Sequence, residues 1–304
     1  QQQQQQQPEA TPETAPDLQE KTGHVHEGMP LPILNAYDKP FLLTQVGDKC
    51  AAAIERLRTL QEAHHRDKGT AVSPEEEGAL AELGAYLEQE PKEDSPALPR
   101  GCYRFIARVL AEWPVASWGP LLDVLRPLLL YAPVNRHYSK STGNPMPIIV
   151  RRCIMRADTP RPIQLRALFV AVNVFAFEAG GRAMLQEGQG PSLMDAALEL
   201  VSHADLATHM SAAAVLYNLC RFLPKRDTVE VVQICSGVVH VLSSKTDHET
   251  AFRLLLAIAR IAYRNGAACA LLHSLDFDPE AILEADSPQH TQALARELAA
   301  MMKA

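Results

Sequence analysis

The chain has 304 residues, of which 47% are hydrophobic and 6% are aromatic, and its formal net charge is -7. This length and apolar content can form a sizeable core, and a repeat array can be this long as one domain because each repeat contacts only its neighbours. The longest nearly apolar run, Ala167 to Phe177, is far shorter than the roughly 20 residues that span a bilayer, which argues against a membrane protein.

Two features bear on the origin and compartment of the chain. It opens with seven glutamines rather than a methionine, so we expect a fragment of a longer protein whose upstream domains are missing here. Residues 1–28 are rich in Gln, Pro and Glu and poor in large apolar groups, which predicts a disordered linker before a folded domain at 29–304. The six cysteines include no Cys-x-x-Cys pair, which predicts a reducing cytoplasmic or nuclear compartment.

The apolar spacing predicts helices from residue 42 onward, because six apolar residues fall on one helical face: Leu42, Val46, Ala53, Ile54, Leu57 and Leu60. The run Ser73-Pro74-Glu75-Glu76 is typical of a helix N-cap followed by a proline-started helix. Further elements are expected in this order: helices around 103–110 and 121–131, a long polar loop at 133–147, and closely spaced helices after Arg161. Breaks between those later helices are expected at 180–181, 188–191, 203–205, 224–227, 245–247, 265–266 and 287–288.

A degenerate repeat links the later helices. Residues 165–185 align with residues 252–272 without a gap at an offset of 87, and half of that offset is about 43, the length of one armadillo or HEAT unit. A third unit is then expected near residue 211, where Ser211 to Leu219 supplies a matching apolar helix. The sequence therefore predicts an all-α, armadillo/HEAT-like helical solenoid of about six degenerate repeats.

Arginine and asparagine recur along the face that such repeats turn toward their concave groove. In a solenoid one helix per unit lines this groove with its stripe at i, i+4, i+7 and i+11. The three stripes are Arg253, Ala257, Arg260 and Arg264; Arg166, Val170, Asn173 and Phe177; and Ser211, Val215, Asn218 and Phe222. Asn can donate to and accept from the backbone of an extended peptide, and Arg can hold carboxylates with two parallel bonds, so we predict a groove for an extended acidic peptide.

Other interpretations of these residues stay open. A single surface Arg is more often solvated or in a weak ion pair than part of a binding site. The stretch from Val124 to Arg166 holds eight Arg or Lys against one acid, so a general scaffold or a nucleic-acid-binding repeat is the alternative, although the overall negative charge argues against nucleic acid. No nucleophile, phosphate-loop or dinucleotide motif and no metal-ligand spacing is present, so we expect no enzyme, no cofactor and no metal site.

Four segments of the chain form a recognisable set: 173–185 (NVFAFEAGGRAML), 213–219 (AAVLYNL), 249–259 (ETAFRLLLAIA), and Trp113-Pro114 followed by 122–126 (LDVLR). They resemble the PUL domain, the C-terminal module of phospholipase-activating protein and related ubiquitin-pathway proteins. Their order and spacing agree over roughly residues 30–304.

The resemblance implies an armadillo-like fold whose basic groove binds the acidic C-terminal tail of the AAA ATPase valosin-containing protein. Ubiquitin would be reached only through upstream domains that are absent from this sequence. Arg126 and Arg253 match groove arginines of the family, and the full predicted site is Arg126, Arg166, Asn173, Asn218, Arg253, Arg260 and Arg264. Two positions depart from the family pattern: Phe169 stands where relatives often have Arg, and Pro127 is expected to kink the helix that presents Arg126.

Overall fold

A computed structural model describes residues 26, 28–44, 49–140, 143–185, 189–202, 205–223, 228–244 and 246–304. The predicted linker at 1–28 lies almost entirely outside these residues. The protein is 71% helical, and its described residues contain no strand. The helices are α1 (Pro32–Ala36), α2 (Lys49–Asp67), α3 (Pro74–Leu87), α4 (Arg100–Glu112), α5 (Gly119–Leu128), α6 (Ala132–Tyr138), α7 (Met146–Ile149), α8 (Arg161–Asn173), α9 (Glu178–Leu185), α10 (Gln189–Leu200), α11 (Leu206–Cys220), α12 (Val229–Leu242), α13 (His248–Arg264), α14 (Gly266–Ser274) and α15 (Gln289–Lys303).

The helices stack in two rows, which confirms the all-α solenoid. In the inner row α2 packs on α5, α5 on α8, α8 on α11, α11 on α13 and α13 on α15. In the outer row α10 contacts α12 and α12 contacts α14, while the short π-helical segment Val150–Ile154 precedes them and contacts α10. Each inner helix therefore lies beside its equivalent from the neighbouring repeat, as a repeat of about 43 residues requires.

Hydrogen bonds across the repeats have nearly the same spacing along the chain. The Arg253 guanidinium donates to the Met210 carbonyl at 2.8 Å, and that of Arg264 donates to the Arg221 carbonyl at 2.8 Å, both across 43 residues. The Arg166 guanidinium reaches the Asp123 carboxylate at 3.0 Å, also across 43 residues. These bonds link the end or side of one inner helix to the next and hold the inner row in register.

The middle of the inner row is apolar on nearly every side. Helix α11 is buried almost throughout its second half, including Tyr217 and Asn218, and α13 is buried at Leu254, Leu255 and Ile258. Helices of this kind are found where neighbours cover them all round, and here α8, α10, α13 and the N-terminal segment surround α11. All six cysteines are buried and none forms a disulfide.

Helix starts largely follow the sequence signals. Ser73 and Glu76 form the predicted capping box of α3: Ser73 Oγ accepts from the Glu76 N–H, and the Glu76 carboxylate accepts from the Ser73 N–H at 2.7 Å. Asp205, Thr228 and Asp247 each accept a hydrogen bond from the backbone N–H three residues later and so cap α11, α12 and α13.

Three local expectations are wrong. The polar stretch 133–147 is not a continuous loop, because α6 and α7 form within it and bury Val134, Tyr138 and Met146. The glycine pair 180–181 does not break a helix; it lies inside α9, where the absence of side chains allows close packing. Leu42 does not belong to the first long helix, because α2 begins at Lys49 and Leu42 lies in an irregular segment that pairs with the inner helices.

The length and apolar composition of a helix decide whether it could span a membrane. Among the described helices, none alone is long and apolar enough to cross a bilayer, and one pair bent by 117°, 161–176 with 178–185, passes that test only when its two parts are joined.

Candidate peptide-binding groove

Two buried asparagines hold an irregular segment of the chain against the inner helices. Asn173 lies at the end of α8, and its Oδ1 accepts from the Leu43 N–H at 2.8 Å while its Nδ2 donates to the Leu43 carbonyl at 3.2 Å. Asn218 on α11 makes the same pair of bonds with Phe41, at 2.9 and 3.0 Å. Both asparagine side chains are fully buried. They therefore recognise backbone groups two residues apart, in the manner predicted for an extended peptide, but the backbone they hold belongs to this chain.

Arginines from α13 contact the same segment. The Arg260 guanidinium donates to the carbonyls of Leu34 at 3.1 Å and Tyr37 at 2.9 Å. The Arg253 guanidinium lies 4.7 Å from the centre of the Phe41 ring, a cation–π contact, and also binds the Glu249 carboxylate at 2.7 Å. The Tyr217 hydroxyl donates to the Tyr37 carbonyl. Residues 37–43, which we call the arm, thus lie across α8, α11 and α13.

Helix α1 anchors the beginning of the arm. Leu31 and Leu34 are buried, and α1 packs on α13 and α15. The Glu297 carboxylate on α15 accepts from the backbone N–H of Ile33 at 2.7 Å and of Leu34 at 2.9 Å, which satisfies donors that a helix start leaves unpaired. An acidic side chain at a helix N-terminus is also favoured by the helix dipole.

The remaining predicted arginines lie on either side of the arm. Arg126 is half-buried near the end of α5, its guanidinium is 5.9 Å from the centre of the Phe169 ring, and its backbone carbonyl accepts from Asn173 Nδ2 at 2.9 Å. Arg166 on α8 pairs with Asp123. Arg264 ends α13 and is half-buried. The predicted residues therefore occur on four consecutive inner helices, α5, α8, α11 and α13, of the same row.

The comparison with known families agrees with this geometry. Residues 39–300 match the PUL domain family, which is most of the chain. The chain belongs to the PUL domain family. PUL domains are protein-interaction modules of the ubiquitin pathway. The match begins at Lys39, within the arm, and extends almost to the end of α15.

The two departures from the family pattern have clear positions in this PUL domain. Pro127 is the second-to-last residue of α5, so the helix ends there instead of bending and continuing. Phe169 is half-buried and lies beside the Arg126 guanidinium. The aromatic ring at 169 thus packs on the arginine from the neighbouring inner helix rather than adding a second charge.

The sequence predicted only two members, Arg260 and Arg264, of an arginine cluster at the α11–α13 end that also contains Arg221. Arg221 follows α11 directly, and burial lowers its pKa, as do the charges of Arg260 and Arg264. Burial also lowers the pKa of the Arg264 guanidinium, and Arg260 lowers it further. Arg221 was missed because it lies three residues beyond Asn218 and outside the stripe, although its repeat equivalence to Arg264 at an offset of 43 was readable.

The sequence patterns also did not predict that the arm lies against the groove residues. The contacts of residues 31–43 with Asn173, Tyr217 and Glu297 join positions that are 130 or more residues apart. No periodicity connects such distant residues. The recurrent Asn was the one local signal that a backbone would be held at this place.

One group of side chains outside the groove could approach a metal ion. His248, Glu284 and Asp286 each offer a ligand atom within 4.8 Å of the others, and both acids are exposed. Exposed acidic groups are common at protein surfaces without a bound ion, and no member of this trio is one of the predicted groove residues.

Proposed function

We propose that this PUL domain is a peptide-binding adaptor that binds the acidic C-terminal tail of the AAA ATPase valosin-containing protein along its basic concave groove. In this role it would connect ubiquitin-pathway cargo, or an upstream domain of a longer protein, to the ATPase. Ubiquitin itself would be contacted only by such upstream domains. The buried thiols, none of them in a disulfide, suit action in the cytoplasm or the nucleus.

The observation that carries the proposal is the accumulation of arginines on the α11–α13 end of the inner row. Burial, followed by the charges of Arg260 and Arg264, lowers the pKa of Arg221, and burial, followed by the charge of Arg260, lowers the pKa of Arg264, so the three guanidinium groups lie close together. The hydrogen bonds of Arg260 and Arg264 go to backbone carbonyls and to the Tyr217 hydroxyl. A carboxylate placed among them would relieve this repulsion, and each charge-assisted hydrogen bond is worth about 1.5 to 3 kcal/mol.

The other end of the groove offers a second, weaker attraction. Arg126 and Arg166 lie on neighbouring helices, and Arg166 is already paired with Asp123. A long acidic tail could contact both ends, because an extended peptide spans about 3.3 Å per residue and crosses one inner helix roughly every three residues. The charge pattern therefore favours an extended ligand with several acidic side chains over a compact anion.

The experiment is a titration of a fluorescent peptide with the sequence of the ATPase tail into the full chain. We expect binding in the micromolar range that weakens as salt is raised from about 50 to about 300 mM, because salt screens the attraction between exposed charges. The double variant Arg126→Ala/Arg253→Ala should lose at least about tenfold in affinity, equivalent to about 1.4 kcal/mol.

The matched control is Arg182→Ala. Arg182 is exposed on α9 and forms an ion pair with Glu178 one turn away, so its loss removes one positive charge from the protein without touching the groove. This variant should bind the tail like the wild type. Absence of detectable binding by the wild type would show that the ATPase assignment is wrong, and equal losses in both variants would show that the attraction is not local to the groove.

The alternative, a scaffold or nucleic-acid-binding repeat, depended on the basic stretch from Val124 to Arg166. Much of that charge is used within the fold: Arg152 lies 4.7 Å from the Trp118 ring and donates to the Leu110 carbonyl, and Arg156 pairs with Asp158. Filter binding of single-stranded RNA at physiological salt separates the two functions, because tight binding with a steep salt dependence would favour the alternative.

A further inference from the structure

The arm occupies the backbone-binding positions of the groove. The side-chain amide of Asn173 is hydrogen-bonded to the backbone N–H and carbonyl of Leu43, and that of Asn218 to the same groups of Phe41. The Arg260 guanidinium donates to the carbonyls of Leu34 and Tyr37. Phe41 covers one face of the Arg253 guanidinium. While the arm is in place, a second extended peptide cannot pair with either asparagine or stack on that face of Arg253.

The arm buries a smaller fraction of its side chains than α1 does. In α1, Leu31 and Leu34 are buried, and Glu297 fixes two backbone N–H groups. In the arm, Asp38 and Lys39 are exposed, Tyr37 is 36% exposed, and residues 40–43 are only half-buried. Regions with few buried apolar contacts open at lower free energy than the core. The arm can therefore leave the groove while α1 remains docked.

The arm is also an extended segment by its own sequence. Pro40 lacks a backbone N–H and restricts Lys39 to extended conformations, so residues 39–43 are poorly suited to continue α1 or join α2. Phe41 and Leu43 both pack against the core, whereas Leu42 between them projects to the opposite side of an extended backbone. The arm thus has the form of a peptide ligand that is covalently attached.

We infer that the arm is a displaceable occupant of the groove, and that an extended acidic peptide binds by exchanging with it. This inference rests on the proposed function, because it concerns access to the same site. Asn173 and Asn218 are fully buried, and buried amides without partners are costly, so the groove favours exchange over simple opening. An incoming backbone with N–H groups two residues apart replaces the bonds of Phe41 and Leu43, and one of its carboxylates replaces the Tyr37 carbonyl held by Arg260.

Binding by exchange with the arm has two consequences for the partner peptide. Its two residues opposite Asn173 and Asn218 are not proline, because each asparagine Oδ1 needs an N–H donor. Its apparent affinity is reduced by the fraction of molecules in which the arm is closed, so loosening the arm tightens binding.

Hydrogen–deuterium exchange of the wild-type chain tests the opening directly. We expect the amides of Phe41 and Leu43 to exchange faster than those of α8 and α11, and saturation with the ATPase-tail peptide to raise the exchange of these two arm amides further. Exchange of the arm only through global unfolding, or an arm that stays equally protected in the saturated complex, would overturn the inference.

Variants test the energetic coupling. Phe41→Ser/Leu43→Ser removes the two packed side chains of the arm and leaves every groove residue intact, so the ATPase-tail peptide should bind about three- to tenfold more tightly. Leu42→Ser is the matched control and should bind like the wild type. Circular dichroism and thermal unfolding confirm that the solenoid is intact, and the wild-type exchange measurement decides the question if the double variant does not fold.

A peptide of the arm itself separates this inference from the proposed function. A synthetic peptide with the sequence of residues 37–44 should bind the Phe41→Ser/Leu43→Ser variant in trans and bind the wild type at least about tenfold more weakly, because the wild-type groove is filled. If the ATPase tail fails to bind but the arm peptide binds the variant, the ATPase assignment is wrong and the arm is still displaceable. If the tail binds with unchanged affinity in the double variant and the arm peptide does not bind it, the exchange is disproved and the proposed function stands.

Discussion

Asn173 and Asn218 make the same three hydrogen bonds one repeat apart. In each, Oδ1 accepts from a backbone N–H of the arm, and Nδ2 donates both to the carbonyl of the same arm residue and to a carbonyl of the preceding inner helix. That third bond goes from Asn173 to Arg126 at 2.9 Å and from Asn218 to Val172 at 3.2 Å. The asparagines therefore tie the inner helices to one another as well as to the arm, so they combine a structural role with a recognition role.

Replacement of Asn218 by Ala should destabilise the fold. The change removes the side-chain partner of three backbone groups, two at the half-buried Phe41 and one at the buried Val172, and we expect a loss of about 2 to 3 kcal/mol in the free energy of unfolding. Urea denaturation measures this loss, and hydrogen exchange at Phe41 should rise at the same time. As a control, Asn144→Ala removes one hydrogen bond from a half-buried turn, to the Met146 N–H, and should cost about 1 kcal/mol or less. Equal losses in the two variants would contradict the structural role of Asn218.

Local signals in the sequence predicted the repeat and the inner row correctly. Three of the predicted features are set by short-range chemistry and therefore appear in the sequence. They are the N-cap signature at Ser73, the offset between residues 165 and 252, and apolar helices of about three to five turns. The same holds for the recurring Asn at equivalent positions. These are properties of one helix and its immediate flanks.

The arm and its anchor could not be predicted in this way. Leu42 was assigned to a helix because its spacing to Ile54 and Leu57 fits a helical face, but Pro40 and contacts to α8 and α11 draw this segment away from α2. Such contacts join residues 130 or more positions apart and depend on how the whole solenoid folds. The prediction of a continuous loop at 133–147 was wrong for a related reason. Helix α6 is stabilised by burial against other elements rather than by its own composition.

Glu297 should prove important for keeping α1 docked. Glu297→Ala leaves the N–H groups of Ile33 and Leu34 without an acceptor, and we expect a loss of about 1 to 3 kcal/mol in urea denaturation together with faster exchange of those two amides. The neighbouring Arg296 is exposed, and within the part of the chain that the structure describes its one hydrogen bond goes to the Gln292 carbonyl, so Arg296→Ala should change stability by less than about 0.5 kcal/mol. Unchanged exchange at Ile33 and Leu34 in Glu297→Ala would refute the anchoring role.

His137 should make the stability of the protein depend on pH. Its ring stacks on Tyr103 with the centroids 3.7 Å apart, and burial, followed by the charge of Lys140, lowers its pKa from the usual 6.5. Since the unfolded chain then binds a proton more readily than the folded one, the contribution of His137 is complete above pH 6.5 and is lost as the pH falls through the lower folded-state pKa.

The measurement is the free energy of unfolding at several pH values from 7.5 to 5. His137→Phe keeps an aromatic ring against Tyr103 but cannot be protonated, so its stability should fall less steeply with acid than that of the wild type. Lys140→Ala removes only the smaller cause, so NMR titration of His137 in that variant should still give a pKa below the usual value. Identical pH slopes for the wild type and His137→Phe would exclude this role.

Gly180 should be among the least replaceable residues of the solenoid. A Cβ at this position would lie directly against the Val174 carbonyl and the Asn135 side chain, and neither can withdraw, because Asn135 Nδ2 is itself bonded to the carbonyls of Leu129 and Val174 at 3.1 and 3.0 Å. Overpacking of this kind costs about 1 to 3 kcal/mol, so Gly180→Ala should lower the thermal unfolding temperature by several degrees.

The matched control for Gly180 is the same substitution in open space. Gly78 in α3 is exposed, and a methyl group added there would meet nothing within 4 Å, so Gly78→Ala should gain about 0.5 to 1 kcal/mol from the helix preference of Ala. A loss of stability in Gly180→Ala together with a gain in Gly78→Ala would show that the close contact at Gly180, and not glycine flexibility, keeps α9 packed on α6. A neutral Gly180→Ala would mean that these helices are not in close contact.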